Sequence, residues 1–125
     1  MSVGSVEEAI RRSLTPGERL TTLSDHAPFW VADMGAASLV LLFGAKRART
    51  TFPWAVLEEL GCWLGGQGWV TVGQSFRTIG EDGTVDGFLK QHIRRATANW
   101  VVAVFAKARL VDVDTRPLRV RWSAR

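Results

Sequence analysis

Two histidines, one cysteine and a few serines and carboxylates are the side chains that could serve as acids, nucleophiles or ligands, and their spacing joins none of them into a site. His26 and His92 stand 66 residues apart with no cysteine or aspartate at ligand spacing beside them. His92 falls on an apolar helical pattern, where a hydrogen-bonded core histidine is the expected role. Cys62 lies alone within another apolar helical pattern, so neither a disulfide framework nor a thiolate cluster is available. Ser24 and Ser75 lack the glycine-framed turn of a hydrolase nucleophile. Gly61, Gly65, Gly66 and Gly68 end a helix without the order of strand, glycine turn, lysine and helix that cradles a phosphate. Asp33, Glu58 and Glu59 read as surface acids, and Glu81-Asp82 as a polar turn between glycines. These residues predict a protein that is not an enzyme and that uses no cofactor and no metal.

Charge is the more informative chemistry. The 125 residues carry a net charge of +4, unevenly placed. Residues 1–60 hold six Lys/Arg against seven Asp/Glu, whereas residues 87–125 hold nine Lys/Arg against two Asp. A basic segment gains affinity for phosphates by releasing their counterions, so nucleic acid is the partner this asymmetry predicts. Lys46-Arg47-Ala48-Arg49 forms a second, shorter basic cluster, which a solvated hairpin tip would also explain. Six tryptophans and no tyrosine sit within apolar runs, where core filling is expected. A sheet platform for stacking bases would need aromatics beside lysines and arginines, and Phe29-Trp30 and Trp122 are the candidates. The longest apolar run, Leu39 to Phe43, is far below the roughly 20 residues that cross a bilayer, and the N-terminus lacks a signal-peptide pattern. A cytoplasmic protein with no membrane contact is expected.

These side chains need a frame. Ser5-Val6-Glu7-Glu8 has capping-box form and predicts a helix over about 6–14, broken by Thr15-Pro16-Gly17. β-Prone runs at 19–23, 29–32 and 39–43 read as a meander, with a fourth strand over 47–52. Pro53 then opens a helix over about 53–64, with Trp54, Leu57, Leu60 and Leu64 on one stripe and Glu58 and Glu59 outward. Trp69 to Val72 reads as a strand. From Thr84 onward, Val85, Phe88, Leu89, His92, Ile93 and Ala96 recur at helical spacing, and Asp86, Lys90 and Arg94 line the opposite side. Thr97 caps a second helix over about 98–108 that buries Trp100, Val101, Val104, Phe105 and Ala108 and leaves Asn99 and Lys107 on its other face. A hairpin of 110–114 and 118–122 closes the chain. With its turn at Thr115-Arg116, Val113 faces Leu118, Val111 faces Val120 and Asp112 faces Arg119. The fold class is α+β: one domain over 1–125, with a small antiparallel meander and a packed helix followed by two helices and a hairpin.

Helix, tight turn, second helix and hairpin is the element order of a winged helix-turn-helix, and residues 84–122 resemble that DNA-binding module in order and charge. The resemblance implies that the second helix enters a major groove of duplex DNA while the hairpin lies along the adjacent backbone. Arg94 and Arg95 would then grip phosphates from the turn, Thr97 and Asn99 would lie at an anion-favouring helix N-terminus, and Asn99 would reach adenine with Lys107 two turns on. Arg116, Arg119 and Arg121 would line the wing, and Lys46, Arg47 and Arg49 would extend the phosphate-binding surface. The second helix is nevertheless apolar nearly all round. Such a helix belongs in a core or at a protein interface, which makes a protein-docking module or homodimer the alternative.

Overall fold

The computed structural model of the chain describes residues 4–73, 83–93, 96–115 and 117–123. Helix α1 (Ser5–Ser13) leads into four strands, β1 (Arg19–Thr21), β2 (Pro28–Met34), β3 (Ser38–Phe43) and β4 (Ala48–Pro53), which pair antiparallel in chain order. Then follow α2 (Trp54–Gly65), β5 (Val70–Thr71), α3 (Val85–Lys90), α4 (Ala98–Lys107), β6 (Val111–Thr115) and β7 (Leu118–Trp122). β5 pairs with β7, giving a second sheet in the order β5-β7-β6. The chain is thus α+β, a four-stranded meander with a packed helix ahead of a helical pair and a hairpin.

The β-prone runs read as a meander form its strands, with inward residues set by the pleat. Phe29 and Val31, Leu39, Leu41 and Phe43, and Phe52 all point inward and are buried, and they join the helices and the second sheet in one cluster of core residues. On α2 the stripe Trp54, Leu57, Leu60 and Leu64 is buried as the spacing predicts. The same helix needs Gly61. A Cβ there would lie 2.7 Å from Val6 and 3.2 Å from the Trp122 ring, so only glycine lets α1 and β7 approach α2 this closely.

The start of α1 departs from the capping box. Gly4 takes the cap position and no side chain of the segment caps the helix. Instead Glu58, expected to point outward from α2, accepts the Val6 and Glu7 amides at 3.2 and 2.8 Å. A carboxylate at a helix N-terminus satisfies orphan donors and opposes the helix dipole, so a tertiary contact does the work the sequence assigned to Ser5. At the other face of α1, Arg11 donates to the Met34 and Gly35 carbonyls at 3.1 and 2.6 Å, and the Trp54 indole donates to Gly35 at 2.8 Å. The β2–β3 turn is thereby tied to both helices.

Three further expectations change around α3. Asp86 and Lys90, placed on the solvent side by their spacing, are buried and face each other at 3.3 Å. α3 is only six residues long and packs between α2 and α4, so both its sides are covered. His92, by contrast, lies beyond the end of α3, where its ring reaches solvent and Nε2 stands 3.4 Å from the Glu59 carboxylate. It is not a core histidine. In the hairpin, Thr115 pairs with Leu118, which puts Val113 opposite Val120, Asp112 opposite Arg121 and Asp114 opposite Arg119. The register therefore differs from the expected one. Pro117 cannot donate to a ladder, so the connection falls on it and the strands pair around it.

Because Glu58 accepts the first amides of α1, Glu58→Ala should lower stability by about 1–2 kcal/mol in urea unfolding, whereas Ser5→Ala should change it by less than about 0.5 kcal/mol. Removal of one partner of the buried pair, as in Lys90→Ala, should cost about 3–5 kcal/mol by the same measurement, since it strands the Asp86 charge inside.

Candidate nucleic-acid interface

α4 was the expected reader, and its surroundings decide what it can touch. Its sequence, Ala-Asn-Trp-Val-Val-Ala-Val-Phe-Ala-Lys, is apolar on every side, so burial on every side is the favourable outcome. Ala98, Val101, Val102, Ala103, Val104 and Phe105 are all buried. Ala103, on the face that was to enter a groove, keeps only 5% of its surface and Val102 only 1%. Ala103 and Ala106 lie beside a cleft whose far wall is the edge of the sheet at β1, with Leu20 and Leu23. Trp100 stacks on Phe43 of β3 with ring centroids 4.1 Å apart. A helix covered in this way has little surface to offer a major groove beyond Asn99 and Lys107.

The individual residues follow. Thr97 is fully buried at the start of α4 and is closed to a phosphate. Asn99 is half-buried in the first turn. Lys107 remains exposed, 3.8 Å from the Glu18 carboxylate. Arg119 donates through both Nε and Nη2 to Asp114 at 3.1 and 2.5 Å, and Arg121 does the same to Asp112 at 3.3 and 3.0 Å. Both guanidinium groups also lie over the Trp69 ring, at 5.1 and 4.6 Å from its centroid. Arg119 and Arg121 are thus each paired with an aspartate of β6. Arg94, Arg95 and Arg116 lie outside the described residues.

The basic cluster before α2 is differently placed. Gly44 and Arg47 take left-handed backbone, φ 85° and 49°, in the tight turn between β3 and β4. This turn carries Lys46 and Arg47 into solvent, and Arg49 follows on β4 with its side chain exposed. Register then brings a row of residues together across the outer face of the sheet: Arg19 pairs with Trp30, Trp30 with Leu42, and Leu42 with Arg49. Directly paired residues of antiparallel strands share a face, so the two arginines flank the indole and the leucine. Arg47 closes the row from above, its guanidinium 4.2 Å from the Trp30 ring centroid. Among the described residues no carboxylate lies within ion-pair distance of Arg19, Lys46, Arg47 or Arg49. Asp33 occupies the same face at the other end of β2, beyond a bulge.

Trp30 and Leu42 on this face are half-buried and belong to no part of the core cluster, whereas Val40, further along β3, is buried. The meander therefore has a core side and a second, aromatic and basic side. No protein-family model, curated protein or solved structure matches the chain. Among the described residues no three His, Cys, Asp or Glu side chains gather where a metal ion could sit, and no helix is long and apolar enough to cross a membrane.

Sequence reasoning named Lys46, Arg47 and Arg49 and singled out Trp30, but it missed Arg19. Alternation held the missing signal: Leu20, Phe29, Val31, Leu41 and Thr50 face inward, which turns Arg19, Trp30, Leu42 and Arg49 outward together.

If α4 were open to a ligand, enlarging Ala103 would cost little. Closed against β1, Ala103→Leu should lower stability by about 1–3 kcal/mol through overpacking, while exposed Lys107→Ala should stay within about 1 kcal/mol, both read from denaturant midpoints.

Proposed function

We propose that this chain binds nucleic acid without acting on it chemically, holding the phosphate backbone on the outer face of the four-stranded sheet. The observation that carries the reading is the set Arg19, Arg47 and Arg49 around Trp30, with Lys46 in the adjoining turn, four exposed cations without carboxylate partners among the described residues. Cations left unneutralised in this way are available to displace the counterions of a polyanion, and those of the hairpin, locked to Asp112 and Asp114, are less so. The order α3, α4, β6, β7 supports the winged-helix resemblance as an arrangement of elements. Contact with duplex DNA through α4 is not part of the proposal, because that helix is enclosed.

The rival reading, a homodimer or docking module built on α4, has little surface to use. The apolar residues of that helix are already buried within the single chain. A cytoplasmic location suits the proposal, since an exposed free thiol such as Cys62 persists in a reducing compartment.

Fluorescence anisotropy with labelled nucleic acid tests the reading. With three to four phosphates neutralised, affinity should fall about 40- to 150-fold between about 50 and 200 mM salt. Arg49→Ala should reduce the salt slope by about 0.9 and leave the thermal midpoint unchanged. Undetectable binding at low salt, or a slope unaltered in Arg49→Ala, would contradict it.

A further inference from the structure

We infer that the outer face of the meander takes single-stranded nucleic acid, with Trp30 as the surface on which a base stacks; the inference rests on the phosphate-binding role proposed above. Three features of the face favour a base over a backbone alone. First, Trp30 and Leu42, partners across β2 and β3, form a half-exposed apolar strip outside the core cluster. A phosphodiester gains nothing from such a strip, but the flat face of a base does. Second, the Arg47 guanidinium lies over the Trp30 ring at 4.2 Å, so the face of the indole, rather than its edge, is turned toward a planar group from the solvent side. A base can replace that guanidinium or slide between it and the ring, since arginine planes and indoles both stack on bases.

Third, the cations frame the aromatic strip instead of covering it. Arg19 on β1 and Arg49 on β4 stand at opposite ends of one row, three strand spacings or about 14 Å apart, with Trp30 and Leu42 between them. A strand crossing the sheet along this row would meet a cation, the stacking surface and a second cation in turn. Double helices keep their base faces inside the stack and would present phosphates alone to the same row. Arg47 sits in a left-handed turn residue at the tip of a hairpin, at the end of the strand pair where its side chain can move without disturbing the core.

Labelled oligothymidylate, which has little structure of its own, and its duplex with oligoadenylate of equal length separate the alternatives. The single strand should bind at least about tenfold more tightly than the duplex at low salt, and Trp30→Ala should lose about tenfold for the single strand while leaving the duplex affinity unchanged. Trp30→Phe, which keeps an aromatic plane and the sheet's packing, should retain most of the preference and serves if Trp30→Ala does not fold. Equal or tighter binding of the duplex would overturn the inference while leaving the backbone-binding proposal standing. An unchanged single-strand affinity in both folded Trp30 variants would overturn it in the same way. Absence of binding to either form would remove both.

Discussion

The enclosure of α4 governs the arrangement of the rest. A ten-residue helix with one polar residue in its first turn and one lysine at its end has apolar side chains on every side, and each must be removed from water. β1 and β3 of the meander, α1, α3 and β6 supply the cover, so two parts of the chain that look separable in sequence share one core. Phe105, fully buried, lies at the centre of this packing, and the Trp100–Phe43 stack fastens the helix to the inner face of the sheet. With the inner face of the meander committed to α4, the outer face of the sheet stays open to solvent at Arg19 and Arg49.

The same packing redistributes charge. Along the sequence the basic excess lies in the C-terminal third, and it suggested that the binding surface lies there as well. In the fold Asp86 faces Lys90, Asp112 faces Arg121, Asp114 faces Arg119, and Glu18 reaches across from the N-terminal half to Lys107. The exposed cations left without such partners among the described residues include Arg19, Lys46, Arg47 and Arg49 from the half that is nearly neutral by count, and Arg109 from the basic third. Net charge by segment measures composition, whereas the field a polyanion meets depends on which cations remain unpaired at the surface.

Much of the frame was legible because it is written in local periodicity. Short β-prone runs between turn residues located the four strands of the meander, and the stripe from Trp54 to Leu64 located α2. What escaped depended on contacts distant in sequence. Glu58 caps a helix more than fifty residues away, and Asp86 and Lys90 are buried because α2 and α4 close over both sides of a short helix. His92 is turned outward because α3 ends before the apolar pattern does. Pro117 shifts the hairpin register by taking the turn position, a local rule that the chosen turn did not apply. The candidate site was half visible: the basic tip and Trp30 stood out as residue types, but their convergence with Arg19 is a product of cross-strand register.

The central claim is that ligand contact has moved from the enclosed helix to the outer face of the sheet. Backbone and indole amide chemical shifts, followed by NMR while a short oligonucleotide is added, test it most directly. Binding on the outer face gives the largest shifts at Arg19, Trp30 with its indole N–H, Arg47 and Arg49, with the amides from Val101 to Phe105 nearly unmoved. Largest shifts along α4, with the Trp30 indole unaffected, would contradict it.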